Sequence, residues 1–216
     1  VAGLKHVKHP INAAYAVKTK SPHVMLRGAG AEEFAKEQGL EMVEDNMYFA
    51  TPKTMEWIEK LKQESKKYGT VGCVVLDKQG NLTAGTSTGG MFKKRWGRIG
   101  DSPVIGAGTY ADNNSCAVSC TGHGEYFIRH AVAFDVCARY KYLKESVEKA
   151  ADYIIHTELN TNAGNGGLIA VDKLGNIAMP YNSGGMFRGF LYKEKGRPEI
   201  KKGCGIGKKI VVVGEK

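Results

Sequence analysis

No stretch of this 216-residue chain approaches the roughly 18 consecutive apolar residues of a membrane-spanning helix. The opening Val1-Ala2-Gly3-Leu4-Lys5-His6 lacks the apolar core of a secretory signal, so the expectation is a soluble protein of the cytoplasm with no membrane partner. Val1 is no translational start, and the natural N-terminus is expected elsewhere. Cysteine is sparse and odd in number: Cys73, Cys116, Cys120, Cys137 and Cys204 show none of the close pairs of a zinc ribbon or disulfide scaffold. Reduced thiols are the expectation. The six histidines are scattered apart from His6 and His9, so a chemistry without a metal is expected. There is no Gly-x-Ser-x-Gly elbow, no His-Glu-x-x-His helix and no phosphate-loop lysine pattern. Acidic residues are in the minority, 22 against 31 Lys+Arg, a net charge of +9. Lys60-Leu61-Lys62, Lys66-Lys67 and Lys201-Lys202 fall in segments that read as an exposed helix and a tail, which makes the excess a solvated surface and not a nucleic-acid site.

What remains is an ordinary globular composition, 42% hydrophobic and 25% charged, enough for one domain or two closely packed lobes. Pro10 to Lys18 reads as a short helix, His23 to Leu26 as a strand and Ala31 to Gln38 as a helix. Thr51-Pro52 supplies an N-cap and a proline at the first helical position, and a lysine-rich helical arm is expected from there to Tyr68. Beyond Gly69 the texture changes. Thr70 to Asp77, Lys78 to Asn81 and Leu82 to Thr88 read as strand, turn and strand. Pro103 to Tyr110 and Ser115 to Thr121 read as further strands joined by an Asp112-Asn113-Asn114 turn. Apolar residues at helical spacing then predict helices over 123–141 and 144–159.

The text repeats. Leu76-Asp77-Lys78-Gln79-Gly80-Asn81-Leu82 is echoed by Val171-Asp172-Lys173-Leu174-Gly175-Asn176-Ile177, and Gly89-Gly90-Met91-Phe92 by Gly184-Gly185-Met186-Phe187, both 95 residues on. Two related hairpins in one sheet system are expected, of which one keeps a hydroxyl: Thr70 aligns with Asn165. Strands, helices and strands again indicate an α+β fold.

Hydroxyl, charged and glycine residues gather in turn-like text at Thr70, Thr86-Ser87-Thr88-Gly89-Gly90, Arg98-Ile99-Gly100-Asp101 and Thr121-Gly122-His123-Gly124. Taken singly, each has a bland explanation: threonine favours strands, Gly-Gly marks a turn, and Arg-x-x-Asp is often a surface ion pair. As ordered blocks they are more specific. Gly69 to Asp77, Thr86 to Gly90, Gly97-Arg-Ile-Gly-Asp-Ser-Pro-Val-Ile-Gly-Ala-Gly-Thr-Tyr-Ala111 and Ser119-Cys-Thr-Gly-His-Gly-Glu125 resemble the plant-type asparaginases and isoaspartyl peptidases, which are N-terminal-nucleophile hydrolases. The resemblance runs over nearly the whole chain, with residues 1–69 similar to the C-terminal part of the family's α subunit and 70–216 to its β subunit.

That resemblance implies a four-layer αββα sandwich, self-cleavage between Gly69 and Thr70, and hydrolysis of L-asparagine and β-aspartyl dipeptides. It also implies the roles. Thr70 is the nucleophile, Thr88 its support, and Thr121 with the Gly122 N–H the oxyanion donors. Arg98 and Asp101 hold the substrate's α-carboxylate and α-ammonium, and Gly122 and Gly124 line the binding site. Catalysis needs no cofactor; a structural sodium or potassium ion is left open. The α and β chains stay together and pair as a dimer of heterodimers. The alternatives are an aspartylglucosaminidase-like hydrolase and a catalytically idle homologue that only binds.

The chemistry suits these residues. A threonine hydroxyl is a weak nucleophile, but a freed α-amino group with a pKa near 7.7–8.0 can serve as its base. A planar guanidinium matches a carboxylate, and a carboxylate matches an ammonium. Two departures stand out. The family's initial strand with its His-Gly-Gly-Ala-Gly-like segment does not precede Val1, so an unpaired edge beside the Thr70 strand, self-association and weak activity are expected of this chain alone. Asn182-Ser183-Gly184-Gly185-Met186 replaces the usual Asn-Thr-Glu-Gly-Met.

Overall fold

The computed structural model describes residues 1–52, 55–56, 69–194, 197–203 and 209–213. The chain divides into two compact units, one of residues 1–68 and 91–99, the other of residues 69–90 and 100–216.

The first unit holds two helices, α1 (Pro10–Lys20) and α2 (Gly28–Glu37). Proline at the first position of α1 donates no N–H and needs no partner for one, which suits a helix start. Ala13 of α1 and Ala35 of α2 close a small core with Val7, against which Leu4, Leu40 and Met42 pack. The carboxylate of Glu32 accepts the backbone N–H groups of Lys5 and His6 and meets His6 Nδ1 at 3.1 Å. The strand expected from His23 to Leu26 does not form: only a bridge between Ala2 and Arg27 is made there, with Ser21 and His23 held in a tight turn by the Ser21 hydroxyl. The arm expected from Thr51 to Tyr68 lies outside the described residues, apart from a helical start at Pro52, Met55 and Glu56.

The second unit is built on two sheets. One has the order β2-β1-β9-β7-β8, from β1 (Thr70–Leu76), β2 (Leu82–Thr88), β7 (Arg188–Glu194), β8 (Arg197–Gly203) and β9 (Lys209–Val213). The other has the order β3-β4-β5-β6, from β3 (Thr109–Ala111), β4 (Cys116–Gly122), β5 (Gly166–Asp172) and β6 (Ile177–Ala178). The expected open edge beside the Thr70 strand is absent, because β1 pairs antiparallel with β2 and parallel with β9. Lys201 and Lys202, expected in a tail, belong to β8.

Alternation along β4 and β5 places the two cores. Val118, Cys120, Leu168 and Ala170 point to the helices, whereas Ala117, Ile169 and Val171 point to the other sheet and meet Val74, Leu76, Leu82 and Met186. Both faces are buried, which is why these strands read as nearly continuous apolar text. Sheet, sheet and helices thus form successive layers of an α+β unit.

The two repeats are the same turn in different sheets, not one sheet system. Asp77 Oδ1 accepts the N–H groups of Gln79 and Asn81 at 2.9 and 2.7 Å, and Asp172 Oδ1 accepts those of Leu174 and Asn176 at 2.8 and 2.9 Å. The first turn joins β1 to β2, the second β5 to the two-residue β6.

The helix expected over 123–141 is interrupted. It forms α3 (Gly124–Arg129) and α4 (Val132–Ala138), separated by Ala131 at φ 46°, ψ 45°. A left-handed alanine is strained, but it turns the amides of Ala133 and Phe134 onto the carbonyls of Ala107 and Gly106 at 3.0 and 2.8 Å. Those bonds use the text from Pro103 to Gly108, expected as strand, as turns; only Thr109–Ala111 pairs with β4. The next helix, α5 (Val147–Tyr153), starts with the Ser146 side chain accepting from Lys149 N and continues through a wide π turn, Ile154–Glu158.

Candidate active site

The Thr70–Thr88 pair closes the β1–β2 ladder. Seven consecutive register pairs, Thr70↔Thr88 to Leu76↔Leu82, leave no freedom of slip, so the two threonines are directly opposite. Thr70 Oγ1 donates to Thr88 Oγ1 at 3.4 Å. Thr88 Oγ1 also accepts the Gly90 N–H at 3.0 Å and donates to the carbonyl oxygen of Gly69 at 3.0 Å. A hydroxyl has one proton to give and two lone pairs to offer, and that of Thr88 uses all three. Its one proton is aimed at the carbonyl of the Gly69–Thr70 peptide.

Two residues along each strand, hydroxyls tie the sheets together. Thr86 Oγ1 of β2 meets Ser119 Oγ of β4 at 2.6 Å, and Thr109 Oγ1 of β3 meets Thr86 Oγ1 at 2.5 Å. Thr88 and Thr121 therefore each lie two residues from one cross-sheet tie, on the same faces of β2 and β4 as the tie itself. Asp101 is tied to the same cluster through the backbone: it is 5% exposed, its carbonyl accepts the Gly108 N–H at 3.1 Å, and Thr109 donates to the neighbouring Ser102 carbonyl at 3.1 Å. A side chain at 108 would stand 2.8 Å from the Asp101 carboxylate, so glycine is needed there for closeness.

Thr121 and Gly122 end β4 opposite Gly167 and Gly166 of β5. Gly122 has φ +150°, and a Cβ on it would strike the Asn165 carbonyl and stand 2.8 Å from the Phe127 ring; one on Gly166 would strike the Thr121 carbonyl. The two glycines let β4 and β5 close over buried Phe127. His123 N donates to Asn165 O at 2.9 Å and leads into Gly124, the first residue of α3. Asn182 locks the far side: its Oδ1 accepts from Gly166 N at 2.8 Å, while its Nδ2 donates to Gly164 O at 2.9 Å and Ile155 O at 3.1 Å.

The structure thus brings Thr70, Thr88 and Gly69 into direct contact and sets Asp101, Thr121 and Gly122 on elements joined to them by hydroxyls. Arg98 belongs to the segment 91–99 of the first unit, in a turn where its N–H donates to Arg95 O at 3.0 Å. Thr86 belonged to the expected cluster, but its tie to β4 did not, and Thr109, Ser119 and Asn182 were given no role in the site. The signal for Ser119 was its spacing of two from Thr121 in a strand otherwise of small and apolar residues.

Comparison with known proteins bears on the family and not on the geometry. The chain is 47% identical over 206 residues to the isoaspartyl peptidase of Salmonella typhimurium, covering 89% of this chain and 66% of that protein. It is 42% identical over 219 residues to the isoaspartyl peptidase of Escherichia coli, covering 91% and 68%. It is also 46% identical over 136 residues to an N(4)-(beta-N-acetylglucosaminyl)-L-asparaginase of Elizabethkingia miricola, covering 60% and 39%. The chain spans about two thirds of the length of the two isoaspartyl peptidases. The sequence pattern of the asparaginase family matches residues 1–199, and the chain belongs to that family.

Proposed function

We propose that this protein is a threonine amidohydrolase that cleaves β-aspartyl dipeptides and the side-chain amide of L-asparagine, after cutting itself between Gly69 and Thr70. The observation that carries the proposal is the Thr70–Thr88–Gly69 contact. In the continuous chain the Thr70 nitrogen is a peptide nitrogen and no base. Attack of Thr70 Oγ1 on the Gly69 carbonyl, with Thr88 donating to the carbonyl oxygen, breaks the C–N bond and forms an ester to Oγ1. The proton of the hydroxyl passes to the departing nitrogen, and water then hydrolyses the ester. Thr70 is left with a free amine.

That amine is the base of the turnover reaction. It takes the Thr70 hydroxyl proton as Oγ1 attacks the β-carbonyl of the substrate, and it returns the proton to the leaving amine. The Thr121 hydroxyl and Gly122 N–H face the developing oxyanion. Water hydrolyses the β-aspartyl ester and restores Thr70. Buried Asp101 takes the substrate's α-ammonium and Gly124 leaves room beside Gly122, while the α-carboxylate falls to Arg98 on the family resemblance alone. A four-layer αββα arrangement, a dimer of αβ heterodimers and a cytoplasmic location complete the reading, and no cofactor takes part.

The similarity to the Elizabethkingia protein supports a second reading, hydrolysis of glycosyl-asparagine, but over 60% of the chain only. Parallel assays of a β-aspartyl dipeptide, L-asparagine and a glycosyl-asparagine decide between them. The first reading expects the dipeptide to be turned over and the glycosylated substrate to be refused; preference for the glycosylated substrate overturns it.

A further inference from the structure

Away from the threonine cluster, β4 and α4 meet through sulfur. Cys116 opens β4, and Cys137 lies next to the end of α4. Their Sγ atoms are 2.7 Å apart, and Cys137 Sγ stands 3.2 Å from the Cys116 carbonyl oxygen. A covalent S–S bond is about 2.0 Å, so the sulfurs stand roughly 0.7 Å outside bonding distance. Cys116 is 0% and Cys137 2% exposed, in the core between the four-stranded sheet and the helices. Both belong to the same buried cluster as Val118, Val136, Val147 and Ile154.

The geometry points to a modification site: Cys116 and Cys137 form a disulfide that staples α4 to β4. The co-reactant is a small-molecule disulfide. One cysteine thiolate attacks a sulfur of that molecule, expels one small thiol and leaves a mixed disulfide. The second thiolate attacks the protein sulfur of the mixed disulfide and expels the other small thiol. Two protein thiols lose two electrons and two protons, and the small disulfide gains both as two thiols.

Timing follows from the same contact. The hydrogen bond to Cys137, then burial, holds the Cys116 thiol protonated far above the ordinary thiol range. Since the thiolate is the attacking species, the folded reduced chain reacts slowly. The bond forms as β4 and α4 come together, and the packed core then shields it from reductants.

The test is refolding of the reduced, denatured full chain with oxidised glutathione, followed by alkylation in denaturant and peptide mapping. A dithiothreitol-sensitive peptide joining Cys116 to Cys137 is expected, with a melting temperature raised by roughly 5–10 °C over the reduced chain, as a ring of about 20 residues in a chain of this size gives. The same treatment leaves the melting temperature of Cys137→Ala unchanged. A map in which both cysteines are alkylated, in which either is joined to Cys73, Cys120 or Cys204, or an oxidised chain that melts where the reduced one does, overturns the inference. The mapping needs no variant and is independent of activity.

Discussion

Thr70 and Thr88 face each other across the last rung of the β1–β2 ladder with their hydroxyl oxygens 3.4 Å apart, and Thr88 Oγ1 is also 3.0 Å from the carbonyl oxygen of Gly69. In the proposed self-cleavage one side chain orients the nucleophile and polarises its target. Replacing Thr88 by valine keeps the shape and removes the hydroxyl, and self-cleavage is expected to slow by roughly 100–1,000-fold, as on loss of one oxyanion donor. Thr88→Ser keeps the hydroxyl and retains most of the rate. Gel densitometry over time reads both, and a valine variant cleaving at the parental rate removes Thr88 from the reaction.

Gly122 is constrained by space as well as by backbone angle. Gly122→Ala should lower stability by about 1–3 kcal/mol or more, because the methyl meets the Asn165 carbonyl and Phe127. Gly30→Ala is the control: its Cβ meets nothing within 4 Å in the body of α2, where alanine gains about 0.5–1 kcal/mol. Urea midpoints of the two variants should move in opposite directions.

In the proposed mechanism Asp101 carries the selectivity for a free amino group. Asp101→Asn is expected to lower kcat/KM on a β-aspartyl dipeptide by the equivalent of about 1–3 kcal/mol, the cost of a charge-assisted hydrogen bond. The N-acetylated dipeptide, already poor for the parent, should lose little more. Equal proportional losses on both substrates would take Asp101 out of the ammonium site.

Local text predicted local structure well. The hairpin from Thr70 to Thr88 follows from alternation and from Asp77, whose carboxylate organises the turn within five residues of chain. Arrangements set by distant partners were not legible. Nothing near Ala131 announces a left-handed residue, because the reason is the pair of carbonyls at Gly106 and Ala107. The parallel pairing of β1 with β9 joins positions over 130 residues apart, and no periodicity records a register at that range. The threonines of the site were readable as blocks. The tie of Thr86 to Ser119 depends on how two sheets stack, which a strand pattern does not encode.

The central claim is that Thr70 cuts its own chain at Gly69, and the intact mass of purified protein tests it most directly. The account predicts two fragments, one ending at Gly69 and one beginning at Thr70, from the parent, and a single uncut polypeptide from Thr70→Ala prepared and incubated alongside. A Thr70→Ala protein split at the same bond and to the same extent would contradict it, since the cut would then come from another enzyme.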